Sequence, residues 1–150
     1  MGVSDDVNAG AKRERADGVF DANAHPDIGT SPSSRTGKFG GNSYRQYVET
    51  ARVAGFVGAC AVALPQTDPV DHFEQCRQTG FLTPVAPWRS VGPRRVGRNV
   101  QSLARLGYRA IKVHPRLGGP ALGSREFRAI AQASHDNGCV LFVCTYPLGR

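Results

Sequence analysis

Three short apolar runs in this chain end on side chains that can bind a metal or move a proton. They are Asp21-Ala22-Asn23-Ala24-His25, Ile111-Lys112-Val113-His114 and Leu141-Phe142-Val143-Cys144. An imidazole exchanges protons near neutral pH, a thiolate ligates soft metals, and a lysine ammonium holds a carboxylate. Parallel sheets gather such groups at the carboxyl ends of their strands, where the following loops and helix starts supply donors. The repetition therefore predicts one shared mouth. Side chains alternate along a strand, which puts Asp21, Asn23 and His25 on one face of the first strand and, by the same parity, Lys112 and His114 together on the fourth. A charge inside a sheet covered on both faces is costly to desolvate, so the matched parity predicts an ion pair between Asp21 and Lys112.

The elements that must carry these residues follow from periodicity and punctuation. Gly18 to His25 reads as a first strand, and the Gly/Ser/Pro-rich stretch from Pro26 to Asn42 as a long loop. A connection of that length suits a lid, so Asp27 to Gly41 is expected over the mouth beside His25. Its Gly37-Lys38-Phe39-Gly40-Gly41-Asn42-Ser43 lacks the spacing of a phosphate-cradling loop. Ser43 reads as the cap of a helix with Tyr44, Tyr47, Val48, Ala51 and Ala54 on one face, stopped at Gly55. Strands are expected over Phe56 to Leu64, Phe81 to Ala86, Tyr108 to Val113 and Val140 to Val143. The intervening helices run from Asp68 to Gln78 with Val70 and Phe73 inward, through Val96, Val100, Leu103 and Leu106, and from Ser124 to Asn137 with Phe127, Ile130 and Ala131 buried. Such alternation demands an α/β fold with parallel pairing and right-handed crossovers. Two architectures satisfy it: a partial (β/α)8 barrel of five strands and four helices, or a doubly wound five-strand sheet. No helix follows the fifth strand, which favours the partial barrel.

Composition narrows the function classes. The chain of 150 residues is long enough for one domain, expected over 18–150, burying about 70% of its unfolded surface. Met1 to Asp17 mixes acids and bases without an apolar segment, so it reads as a disordered leader rather than a secretory signal or membrane span. Cys60, Cys76, Cys139 and Cys144 show no C-x-x-C spacing, and a reducing cytoplasm is the expected setting. The net charge of +7 raises nucleic acid as a partner, but the arginines are spread along the chain and only Arg94, Arg95 and Arg98 cluster. Solvated helix faces account for them, and neither nucleic acid nor a membrane is expected as a partner. His72 and His135 fall within helices and read as structural or solvated. Trp88 and Arg89, just past the third strand, are expected on the rim, stacking on and binding an anionic substrate.

Together, Asp21-Ala-Asn23-Ala-His25-Pro26, Ala110-Ile-Lys112-Val-His114-Pro115 and Val140-Leu-Phe-Val-Cys144-Thr145 resemble the amidohydrolase-related family of TIM-barrel metal-dependent hydrolases. That family shows D-x-H-x-H closing strand one, an I-K-x-H-P-like strand four and a strand five ending in H-T. The resemblance covers Gly18 to Pro147. It implies metal ligands at Asn23, His25 and Cys144, of which His25 alone retains histidine, and a divalent metal, zinc foremost, that makes a bound water nucleophilic. The implied reaction is hydrolysis or decarboxylation of a small carboxylated or amide-bearing molecule, with His114, Lys112 and Asp21 as the catalytic candidates. The family's strand-eight aspartate would fall beyond Arg150, so the expectation is a barrel cut after its fifth strand with little turnover of its own. A metal-independent, lactonase-like barrel, or a non-catalytic module that binds a small anion, would show the same cadence. A nucleotide-binding doubly wound domain fits less well, because the first strand–helix connection lacks G-x-G-x-x-G. The open sheet edges of a half-barrel also predict a homo-oligomer.

Overall fold

The computed structural model describes residues 18–26 and 43–145, so the leader expected over Met1 to Asp17 and the lid expected over Asp27 to Gly41 lie outside the described residues. The elements run β1 (Val19–Ala24), α1 (Ser43–Val53), β2 (Phe56–Val62), α2 (Pro69–Thr79), β3 (Leu82–Pro87), α3 (Val96–Leu106), β4 (Ala110–Val113), α4 (Arg125–Asp136) and β5 (Val140–Val143). A short 3-10 turn, Pro115–Leu117, follows β4. The strands form one five-stranded sheet in the order β1-β2-β3-β4-β5, and each neighbouring pair is parallel. The sheet curls into a half-barrel, the α/β architecture that the alternation predicts. Its order runs consecutively without a reversal, so a ligand site belongs at the curled mouth rather than at a switch point.

Alternation along the strands sorts the side chains into two layers. Ile111 and Val113 of β4 pack with Val96 and Val100 of α3 and Ile130 of α4. Ala59 and Ala61 of β2 pack with Tyr44 and Val48 of α1 and Cys76 of α2. All four helices thus cover one face. The other face carries Val62, Val85 and Ala110, with Cys60 and Phe142 beside them, and no helix contributes to that cluster. Local signals set the helix ends. Asp68 accepts hydrogen bonds from the Val70 and Asp71 N–H groups, Pro69 opens α2, and Gly80 closes it in the left-handed conformation. Ser124 caps α4 through the Phe127 N–H.

Three inward assignments differ from expectation. Val70 is 51% exposed, and the buried positions of α2 are His72 and Cys76. A buried imidazole is tolerated there because its Nδ1 lies 2.8 Å from the Tyr108 hydroxyl, which itself donates to the Pro69 carbonyl at 2.7 Å. Since that hydroxyl proton is committed to Pro69, His72 Nδ1 is the donor to Tyr108. Ala131 is exposed, and α4 instead buries Ile130, Ala133 and Ser134. Ala54 lies past the end of α1 and is exposed.

Ser134 is 1% exposed, and its hydroxyl has no hydrogen-bond partner among the described residues. Such a group costs about 1–3 kcal/mol when buried unpaired, and alanine is also the better helix former. Ser134→Ala is therefore expected to stabilise the protein by about 1 kcal/mol in chemical denaturation. A loss of stability would show that the hydroxyl is satisfied.

Candidate functional site at the mouth of the half-barrel

The first strand is not regular, and the irregularity decides which layer each polar residue serves. Asp21 pairs with Ala59 and Ala24 pairs with Ala61, so three steps on β1 oppose two on β2. This bulge places Asp21 and Ala24 on the same, helix-covered side, where Ala24 packs beside Tyr44 and Val48. Asp21 accepts a 2.8 Å hydrogen bond from the Tyr47 hydroxyl of α1 and a second from the Asn23 N–H at 2.9 Å. Burial, then the hydrogen bond and charge of Asp21, push the Tyr47 hydroxyl well above the ordinary phenol range. The expected Asp21–Lys112 ion pair is not formed. Among the described residues the one ion pair is Arg77–Glu74 at 3.4 Å, and Lys112 Nζ donates instead to Asn23 Oδ1 at 3.3 Å. Strict alternation had put Asp21 and Asn23 on one face, and the extra residue separates them.

The Lys112 contact orders the rest of the network. An ammonium only donates, so the amide oxygen of Asn23 must face it and the amide nitrogen must face His25. That nitrogen lies 3.4 Å from His25 Nε2, which is therefore the acceptor. The ring proton then sits on Nδ1, which donates to the Val62 carbonyl at 2.9 Å. Every group in the chain Lys112–Asn23–His25–Val62 has its role assigned by what its neighbour can do.

His25, Lys112 and His114 line one narrow cleft of about 10 Å3, open to solvent at the carboxyl ends of the strands, together with Pro65, Trp88 and Leu117. His114 is held by its own backbone, since its carbonyl accepts from the Leu117 and Gly119 N–H groups at 3.0 and 3.1 Å. Gly119 sits so close that a Cβ there would lie 2.8 Å from the His114 carbonyl oxygen. Burial depresses the His114 pKa below the ordinary 6.5 and the positive charge of Lys112 depresses it further, a backbone hydrogen bond opposes them in part, and the neighbouring His25 and Arg116 add smaller lowering effects. The shift favours the neutral imidazole, the form that can accept a proton. Cys144 continues the β4–β5 pairing through its N–H to the Val113 carbonyl at 3.0 Å, which brings it level with His114 but outside the lining of the cleft.

The donor set does not fit a zinc centre as arranged. Among the described residues no three His, Cys, Asp or Glu side chains stand close enough to share an ion. Asn23 turns its only ligating oxygen to an ammonium, which would repel a divalent cation, and both nitrogens of His25 are engaged.

Trp88 and Arg89 follow β3 at the mouth, and both make contacts within the fold. Trp88 is 1% exposed and packs into the main core, presenting only part of its surface to the cleft. Arg89 donates from Nε to the Pro65 carbonyl and from Nη2 to the Thr67 carbonyl at 3.4 Å, tying down the connection between β2 and α2. Arg94, Arg95 and Arg98 are exposed at the start of α3. Glu126, in the first turn of α4, escaped the sequence reading. It accepts from Ser90 Oγ at 2.6 Å, the Val91 N–H at 2.9 Å and Trp88 Nε1 at 3.4 Å. Burial alone would raise its pKa, but these bonds and one from the Gly92 backbone outweigh it and hold the carboxyl below its ordinary value. An acid in a first helical turn reads as a dipole partner, and nothing local announces donors that lie 35 to 38 residues earlier.

No protein-family model, curated protein or solved structure matches the chain. Among the described residues no helix is long and apolar enough to cross a membrane.

Proposed function

We propose that the mouth is a metal-independent hydrolytic site, of the lactonase-like kind among amidohydrolase-related barrels, acting on a small carboxylated ester or lactone. The observation that carries the proposal is the convergence of a neutral His114, a cationic Lys112 and a fixed His25 on one cleft. His114 takes a proton from water as the water oxygen bonds to the acyl carbon. The carbon–oxygen bond of the ester then breaks, and the proton passes from His114 to the departing alkoxide, which balances the step. Lys112 pairs with the substrate carboxylate, and Asn23 with His25 holds the ammonium in position. Self-association belongs to the same proposal, since β1 and β5 each pair on one side only among the described residues.

The test compares initial rates on a carboxylated ester and on its neutral isostere, for the wild type and Lys112→Met. A charge-assisted contact is worth about 1.5–3 kcal/mol, so the substitution should raise KM for the carboxylated ester by roughly 10- to 100-fold and leave the neutral one nearly unchanged. An equal effect on both esters, or no turnover above buffer, would sink the proposal.

A further inference from the structure

We infer that Glu126 is a positioning residue for the mouth: its carboxylate gathers the connection between β3 and α3 so that Trp88 walls the cleft holding His25, Lys112 and His114. The inference deepens the proposed hydrolytic site and rests on it only for its functional meaning.

The geometry is that of a clamp. Both carboxylate oxygens are used, Oε2 by the Ser90 hydroxyl and Oε1 by the Val91 N–H and the Trp88 indole. A buried indole needs an acceptor, and Trp88 takes its acceptor from a different element, α4. Trp88 belongs to two places at once. Its bulk packs against the core of α3, α4 and β4, and its remaining surface lines the cleft. Whatever fixes the indole therefore fixes one wall of the site. Charge-assisted bonds are about twice as strong as neutral ones, so one carboxylate serving Trp88, Ser90, Val91 and Gly92 holds the first part of the connection over 88–95.

The consequence reaches His114. Its pKa is depressed mainly by burial, with Lys112, His25 and Arg116 as the titratable and charged groups facing it. Loosening Trp88 admits water to the cleft and relieves that burial, so His114 should titrate closer to 6.5.

The experiment uses the full chain, in which Trp88 is the only tryptophan and reports by its own fluorescence. Glu126→Gln leaves one acceptor oxygen and turns an N–H donor toward the other donors. Its Trp88 emission should shift to the red with a severalfold rise in acrylamide quenching, while circular dichroism retains a cooperative melt. In the same variant, histidine resonances followed against pH should move the His114 titration upward and leave exposed His135 in place. A merely structural clamp elsewhere in the fold would not move His114. Ser90→Ala, which removes one donor and no charge, should change both readouts in the same direction and by less, and it decides the matter if Glu126→Gln does not fold. Unchanged emission and an unchanged His114 titration would overturn the inference. Failure of the ester comparison above would instead refute the hydrolytic proposal and leave the clamp standing.

Discussion

His114→Ala is expected to lower turnover of a carboxylated ester by roughly 10²- to 10⁴-fold, the range that a positioned general base contributes. KM should move little, because Lys112 and not His114 holds the carboxylate. The wild-type rate should rise with pH and level off through an apparent pKa below 6.5, as the depressed value of His114 requires. The residual rate of the variant should lack that step. A wild-type profile that falls as pH rises through this window would assign His114 the acid role instead. Stability follows the same titration with a definite sign. The unfolded chain binds the His114 proton more readily than the folded chain, so stability from this group is complete above 6.5 and is lost as pH falls through the folded value. Glu126 adds a second window on the acid side, beginning below 4.5, for a carboxylate whose folded pKa is also depressed. His114→Ala should therefore flatten the upper window and leave the lower one.

Trp88→Ala should cost about 3–5 kcal/mol, the range for removing a large aromatic from a core. Trp88 is among the largest fully buried side chains, and the loss removes its packing as well as one of the side-chain and backbone donors that Glu126 serves. Domains of this size are stable by about 5–15 kcal/mol in total, so the variant should be marginal at room temperature. Urea denaturation is the measurement. A loss below about 1 kcal/mol would mean that the indole lies on a surface loop and not in a core. A ligand of the cleft should partly restore the midpoint, because any molecule bound only to the folded form stabilises it by mass action.

Much of this architecture was legible because its signals are local. Glycine stops at Gly80 and Gly107, the Asp68 and Ser124 caps, and apolar runs of strand length define β2 to β5 to within two residues at most ends. Three things were not legible, each for a long-range reason. His72 read as structural or solvated without a partner to decide between them, because the Tyr108 hydroxyl that fixes it in the core comes 36 residues later. The Asp21–Lys112 pairing assumed an unbroken two-residue period, and a bulge in β1 leaves no mark in a sequence of small residues such as Asp21-Ala22-Asn23-Ala24. Trp88 was placed correctly at the end of β3, but only its contacts with α3 and α4 reveal that it is buried. The chemical groups of the mouth were readable from strand ends, whereas their hydrogen-bond assignments needed Lys112 to meet Asn23 across the curl of the sheet.

The bulge in β1 has a mechanical consequence. Tyr47 on the outer helix grips Asp21, Asp21 grips the Asn23 backbone, and the Asn23 side chain spans Lys112 and His25 inside the curl. A strand of even period would insulate one side of the sheet from the other, but here a single added residue threads a continuous linkage through it. A displacement of α1 therefore has a path of hydrogen bonds, through Asp21 and Asn23, from the convex surface to the ammonium on the concave one.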